Sequence, residues 1–308
     1  MASASANASA IGGAAALADG GAATLPSTGA AALADGAAAT LPFTADLYGG
    51  ISVHADALPP DAFAALLSAS LAAWRAQGVR GVWLHIPQAQ AALIPPAVAA
   101  GFAFHHTTPA QQLVLTQWLD ASSPSHLPAH PSTAVGVGAF LLNARGEMLV
   151  VQERRGPAAR PGLWKVPTGL VDRGEEVADA AVREVREETG VEAVFESVVG
   201  VRHAHGVAFG CDDLFFLCVL RLKGGGEGVP ELVPQASEIA AAQWMRPEDF
   251  AAMPHVQDPE SVWGRLHRLC MGVADGKRPP AVLVPRLLPL GVRPGSNTVF
   301  LAQHDCEA

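Results

Sequence analysis

Three glutamates, Glu184, Glu187 and Glu188, stand at i, i+3 and i+4 within Val177–Thr189, a stretch whose pattern predicts a helix. That spacing stacks carboxylates on neighbouring turns. Like charges so placed repel and weaken a helix, so a cation is the natural counterpart. Carboxylate oxygens are hard ligands suited to Mg²⁺ or Mn²⁺. Ions held there can neutralise a diphosphate, orient it and acidify a bound water. The same acids can also form a solvated face paired with Arg183 and Arg186. The helix alone leaves both readings open.

The residues around the helix favour the first. Gly169 begins a loop that ends at Gly174–Glu175, and a glycine there lets backbone approach a ligand closely. Glu175 stands near the helix start, where its charge suits the helix dipole. Gly190 follows the helix as an expected left-handed cap. Ala178, Ala181, Val182 and Val185 form a stripe at i, i+3, i+4 and i+7, the face expected to be buried.

Together these residues read G-x5-E-x7-R-E-U-x-E-E-x-G-U, with U a bulky aliphatic. Gly169, Glu175, Arg183, Glu184, Val185, Glu187, Glu188, Gly190 and Val191 fill all nine fixed positions. The stretch resembles the Nudix box. The resemblance implies an α/β fold: a Nudix α/β/α sandwich whose box forms a loop–helix–loop. It implies that Glu184, Glu187 and Glu188 bind Mg²⁺ or Mn²⁺, that Glu184 is a candidate general base, that Arg183 orients the glutamates and that Glu175 supports them. One departure is Thr168-Gly169, where many members of the family have Gly-Gly. Thr168 still offers a backbone carbonyl, so only loop freedom should change.

Similarity extends to VGVGAFLLNARGEMLVVQE, GLWKVPTG, DDLFFLCVLR and EIAAAQWM, and in the first half to LYGG, RGVWLHIP and GFAFHH. These segments are similar to the plant and animal subfamily with an extra N-terminal "pre-Nudix" domain. That likeness implies a diphosphatase acting on ADP-ribose or NADH. Alternatives are coenzyme A or dinucleoside polyphosphates as substrates, or nucleotide binding without hydrolysis.

The expected organisation is a low-complexity, disordered leader over 1–45, an α/β domain over 46–119, a linker over 120–133, the Nudix domain over 134–275 and a tail over 276–308. The leader holds a tandem repeat, AAALADGGAATLP and AAALADGAAATLP. In the first domain, strands are expected at Leu47–Val53, Gly81–Ile86, Phe102–His106 and Gln112–Trp118. Helices are expected at Pro59–Gln77 and around Gln88–Ala100, the latter interrupted by Pro95 and Pro96. This unit suggests an acetyltransferase-like fold, but Arg75-Ala-Gln-Gly78-Val-Arg80 departs from the loop that would hold a pyrophosphate. A docking or homodimerisation role is therefore expected of it.

In the second domain, Val135–Leu142 and Glu147–Glu153 should form a hairpin across Asn143–Gly146. Further strands are expected within Gly156–Asp172 and at Ala193–Val201, Leu214–Leu222 and Ala240–Trp244. Gly224–Gly228 reads as a flexible loop, and Pro247–Ala252 and Pro259–Gly272 as closing helices. The proline-rich tail has no clear period.

Weaker candidates have bland alternatives. Trp164 beside the box can stack on a base but more often packs a core. Glu238 can complete a metal site or be an exposed turn residue, and Asp212 and Asp213 are ordinary loop acids until shown otherwise. His203 and His205 share a strand face and can bind metal, though surface or pocket-lining histidines are commoner. His105 and His106 are read as structural.

With a net charge of −9, a long nucleic-acid interface is not expected. Cys211, Cys218, Cys270 and Cys306 lack zinc-ligand spacing and suit a reducing compartment. No strongly apolar run of membrane-spanning length is present, and the first Lys or Arg is Arg75. A cytoplasmic location without membrane insertion is the expectation.

Overall fold

The computed structural model describes residues 40–56, 58–156, 158–224, 228–258, 262–275, 283–289 and 296–302. The tandem repeat up to Ala39 and Cys306 lie outside the described residues, as do the centre of the Gly224–Gly228 segment and the first residues of the Pro259–Gly272 segment. The end of the second repeat copy, residues 40–42, is described, and its Leu41 is buried in the core of the first unit. The chain divides into two compact units between Pro131 and Ser132.

The first unit runs β1 (Thr44–Ala45), β2 (Ile51–His54), α1 (Pro60–Ala76), β3 (Gly81–Pro87), a 3₁₀ helix (Gln88–Leu93), α2 (Ile94–Ala99), β4 (Ala103–Thr107) and β5 (Gln112–Trp118). Its sheet has the order β1-β2-β3-β5-β4, with β2 and β3 parallel. Phe63, Leu67, Leu71 and Trp74 recur at helical spacing along α1 and are buried in one core with Val53, Val82, Leu84 and Leu115 from the sheet. Each such side chain contributes about 1.5–3 kcal/mol on burial.

Two local expectations are corrected. The segment from Leu47 turns before it extends, because the Asp46 carboxylate accepts from the backbone N–H groups of Tyr48 and Gly50. The strand therefore starts at Ile51. Pro95 and Pro96 do not interrupt a helix; they lie in the first turn of α2, where a missing N–H costs no intrahelical bond.

The second unit runs β6 (Thr133–Leu141), β7 (Met148–Glu153), β8 (Thr168–Leu170), α3 (Val177–Thr189), β9 (Ala193–Ala208), β10 (Cys211–Leu222), β11 (Ile239–Met245), α4 (Pro247–Ala251), α5 (Val262–Ala274), β12 (Leu283–Pro289) and β13 (Ser296–Ala302). One sheet has the order β13-β12-β9-β10-β6-β8, and a second pairs β11 with β7.

Strand β6 is buried on both faces. Val137, Ala139 and Leu141 pack with Ala181 and Val185 of α3, while Phe140 joins Leu217, Val219, Phe250 and Cys270 in a separate core. Alternation along one strand thus feeds two cores, and helices cover both sides of the sheet.

The expected hairpin between β6 and β7 is corrected. Asn143 does build the turn, accepting from the N–H groups of Arg145 and Glu147. The strands then part after a single bridge at Leu142–Met148. β6 already has β10 and β8 as partners, so β7 pairs with β11 instead. The tail, for which no element was expected, supplies β12 and β13, and β12 joins β9 at Leu283–Val198. Among the described residues, no helix is long and apolar enough to cross a membrane.

Candidate active site

Arg183 organises the box. Its Nε donates to Glu175 Oε1 at 2.7 Å and its Nη2 to Glu175 Oε2 at 2.9 Å, a two-pronged pair. Nη1 donates to Glu184 at 2.7 Å and to Glu187 at 3.2 Å, and Nη2 also reaches the Leu170 carbonyl at 2.9 Å. One guanidinium therefore ties the loop before α3 to two acids on the helix. Glu175 is held below the usual carboxylate range, chiefly by its hydrogen bonds from Arg183.

The three helix acids do not share one environment. Glu187 is exposed, Glu184 is half-buried and Glu188 is only 4% exposed. Glu188 follows Ala181 by seven residues, so it lies in line with the buried stripe. Its carboxyl is pushed up to about 8, chiefly by burial, with Lys165 opposing and Glu184 adding repulsion. Glu184 is also raised, first by burial, against the hydrogen bond from Arg183. Among the described residues, the buried Oε2 of Glu188 has no hydrogen-bond partner. A buried anionic oxygen without a donor is costly unless a cation meets it. Glu184, Glu187 and Glu188 are hard oxygen donors of the kind that suits a divalent ion, with Arg183 and Lys165 already supplying positive charge beside them.

The close approach that Gly169 permits is internal. A Cβ at this position would lie 2.0 Å from the Glu184 carboxylate carbon. Pairing of β8 with β6, Val137 opposite Gly169, holds that backbone against Glu184. Gly190 ends α3 with φ of 74°. A distant segment satisfies the last carbonyls: the N–H groups of Val233 and Gln235 donate to the carbonyls of Thr189 and Glu188.

Sequence reasoning missed Lys165 and Glu153. Lys165 Nζ lies 2.5 Å from Glu153 Oε1 and 2.5 Å from Thr168 Oγ1, beside Glu188. The available signal was a lysine inside an otherwise apolar GLWKVP run. Lys165 and Thr168 also line a cavity of about 390 Å³ whose walls include Phe140, Leu217, Phe250 and Trp263. Trp164 packs half-buried against the core on that side of the sheet, while its neighbours Leu163 and Lys165 line the cavity. Glu238 is exposed, yet its charge contributes to raising Glu184.

The remaining candidates are placed elsewhere. Asp213 pairs with Arg202, whose guanidinium lies over the rings of Phe215 and Trp263. His203 and His205 meet Asp212. His105 and His106 contact each other in the first unit, where His105 also reaches the Pro128 carbonyl at 3.0 Å.

The geometry of Arg183 yields one prediction. Arg183→Lys keeps the charge but loses the planar fork. Catalytic turnover is expected to fall about 10–100-fold, the usual cost of losing a group that orients ligands. Heat denaturation should show a folded protein, and turnover within twofold of the parent would contradict the role.

The chain matches two family models: one described as Nudix hydrolase domain over residues 41–119, and one described as NUDIX domain over residues 132–263. It is 44% identical over 227 residues to Nudix hydrolase 8 of Arabidopsis thaliana, covering 73% of this chain and 60% of that protein. It is 42% identical over 216 residues to Nudix hydrolase 2 of the same plant, covering 70% and 75%. It is 37% identical over 240 residues to nucleoside diphosphate-linked moiety X motif 6 of Mus musculus, covering 75% and 73%.

Proposed function

The chain belongs to the Nudix hydrolase family, and we propose that it hydrolyses the diphosphate linkage of a nucleoside diphosphate derivative, with ADP-ribose and NADH as the first substrates to test. The observation that carries this reading is the complete box folded around Arg183, with two acids forced into a partly dehydrated site.

Glu184, Glu187 and Glu188 would hold Mg²⁺ or Mn²⁺. When bound, such an ion supplies neutralising charge for the diphosphate and acidifies water. The chain's own residues do the rest. Arg183 holds Glu184 and Glu187 at fixed angles, so their oxygens need little reorganisation. Glu188 and the apolar core beneath it keep water from the inner side. Glu184, the half-buried acid with a raised affinity for protons, accepts the proton that an attacking water loses. Water oxygen bonds to one phosphorus as the bridging P–O bond breaks, so ADP-ribose and water become AMP and ribose 5-phosphate. Lys165 lies where the acids meet the apolar cavity, whose volume suits the base or another flat, apolar part of the substrate.

The test is product analysis with purified protein and Mg²⁺ across ADP-ribose, NADH, coenzyme A and a dinucleoside polyphosphate. AMP formation from ADP-ribose or NADH, abolished by chelation, is expected. Glu187→Gln should lower turnover by about two orders of magnitude, the scale of losing one preorganised electrostatic contact. Nucleotide binding without turnover of any of these substrates would overturn the hydrolase reading.

A further inference from the structure

The β9–β10 hairpin carries three potential ligands outside the box. His203 and His205 alternate along β9, which points both imidazoles to one face. Their ring centroids are 4.3 Å apart. Across the hairpin, Asp212 Oδ2 lies 3.5 Å from His203 Nε2 and 3.0 Å from His205 Nδ1. One ligand atom from each residue falls within 4.8 Å of the others.

Local backbone fixes this arrangement. The connection is a two-residue turn, Phe209-Gly210, with φ of 53° and 74°, between the paired residues Ala208 and Cys211. Two positive φ values are what a type I′ hairpin requires. The register then shifts between Cys211 and Asp213, placing Asp212 in an irregularity of the ladder. Such bulges re-aim side chains. The Asp212 backbone N–H donates to the Ser132 carbonyl at 2.6 Å, and its Oδ1 accepts from the Gly206 N–H at 3.3 Å. The carboxylate is thus held from two sides, with the histidines reaching its other oxygen.

We propose that His203, His205 and Asp212 form a second cation site, selective for a Zn²⁺-class ion. Nitrogen and oxygen ligands about 2.0–2.2 Å from a zinc ion lie roughly 3–3.5 Å from one another. The two spacings around Asp212 already match that range. Two imidazoles and one carboxylate favour Zn²⁺, Co²⁺ or Ni²⁺ over Mg²⁺, the reverse of the all-carboxylate box. His203 and His205 are 51% and 74% exposed, so an ion enters without rearrangement of the fold and water completes its shell. Bound metal would cross-link the hairpin close to its turn.

Co²⁺ titration tests the site, with excess Mg²⁺ present to occupy the box acids and absorption in the visible region as the readout. One equivalent with a nitrogen/oxygen-type spectrum is expected, displaced by Zn²⁺. His203→Ala/His205→Ala should weaken this binding by more than about tenfold, since even the loss of a group outside the ligand shell can cost that much. Asp212→Asn should weaken it too. Glu187→Gln should leave it intact, and Mg²⁺-dependent turnover should be unchanged in the histidine variant. The two histidines are on the surface and Asp212 is partly exposed, and circular dichroism verifies folding. Equal Co²⁺ affinity in the double variant would overturn the proposal, as would no Co²⁺ uptake by the parent protein or a thiolate charge-transfer band.

Discussion

In Glu188→Gln, turnover is expected to fall by about two to three orders of magnitude, while the metal-free protein gains heat resistance. The two effects have one origin. Glu188 is 4% exposed, lies in line with the buried stripe of α3 and has an oxygen without a donor among the described residues. In the absence of a cation, burial disfavours its ionised form, a cost that Lys165 only partly relieves. Glutamine has nearly the same shape and no ionised form to desolvate, so the fold loses that part of the cost, about 1–3 kcal/mol, while its amide still takes the place of the buried carboxyl. For a domain of this size, each kcal/mol corresponds to roughly 2–4 °C in the melting midpoint. With Mg²⁺ or Mn²⁺ added, the order should reverse: the parent gains stability by binding and the variant gains much less. Differential scanning calorimetry with chelator and with metal, beside an activity assay, reads all of this. A metal-free midpoint for the variant that is several degrees lower would remove the argument. A metal-induced rise equal to the parent's would show that Glu188 is not a ligand.

Gly169→Ala is expected to be nearly as damaging, by a route that involves no charge. The new methyl would sit 2.0 Å from both Cδ and Oε1 of Glu184. Real atoms do not coexist at that distance, and β8 is held by its pairing with β6, so the side chain must leave. Glu184 would then give up its 2.7 Å contact with Arg183. Overpacking of this sort costs about 1–3 kcal/mol, so the fold should survive with a lowered midpoint. Turnover should drop by at least about 100-fold, because misplacing a reacting group by an ångström has that effect. Gly169 acts through Glu184, so kcat should carry the loss with KM little changed. Gly174→Ala is a useful comparison. Gly174 has a positive φ of 80° but nothing within contact of an added methyl, so it should cost stability and leave the acids in place. Equal catalytic losses in both variants would argue for general loop damage instead of displacement of Glu184.

Much of the molecule was readable from its residues. The helix Val177–Thr189, closed by Gly190, and the strand Gln112–Trp118 have the bounds expected from the sequence. The signals were local: an apolar stripe at helical spacing, Gly190 beyond the last turn, and β-branched runs broken by turn residues. The box residues stand on that same helix, where spacing alone sets Arg183 against Glu184 and Glu187. Residue types and spacing also contained the mixed α/β class of both units.

What local pattern could not contain was which neighbours arrive from far along the chain. Helical spacing treats Glu187 and Glu188 as near equals; packing of α3 on β6 makes one exposed and the other buried. The need for glycine at 169 follows from a side chain fifteen positions away, and the partnership of Lys165 with Glu153 from two segments joined through the Val151–Lys165 bridge. β6 and β7 read as a hairpin until β10, β8 and β11 claimed their edges, and the tail found β9 as a partner only in three dimensions. The chain's own order determined the chemistry it carries and the helix that bears it. Tertiary contact decided how that chemistry is tuned, because burial and charge proximity are properties of space and not of spacing.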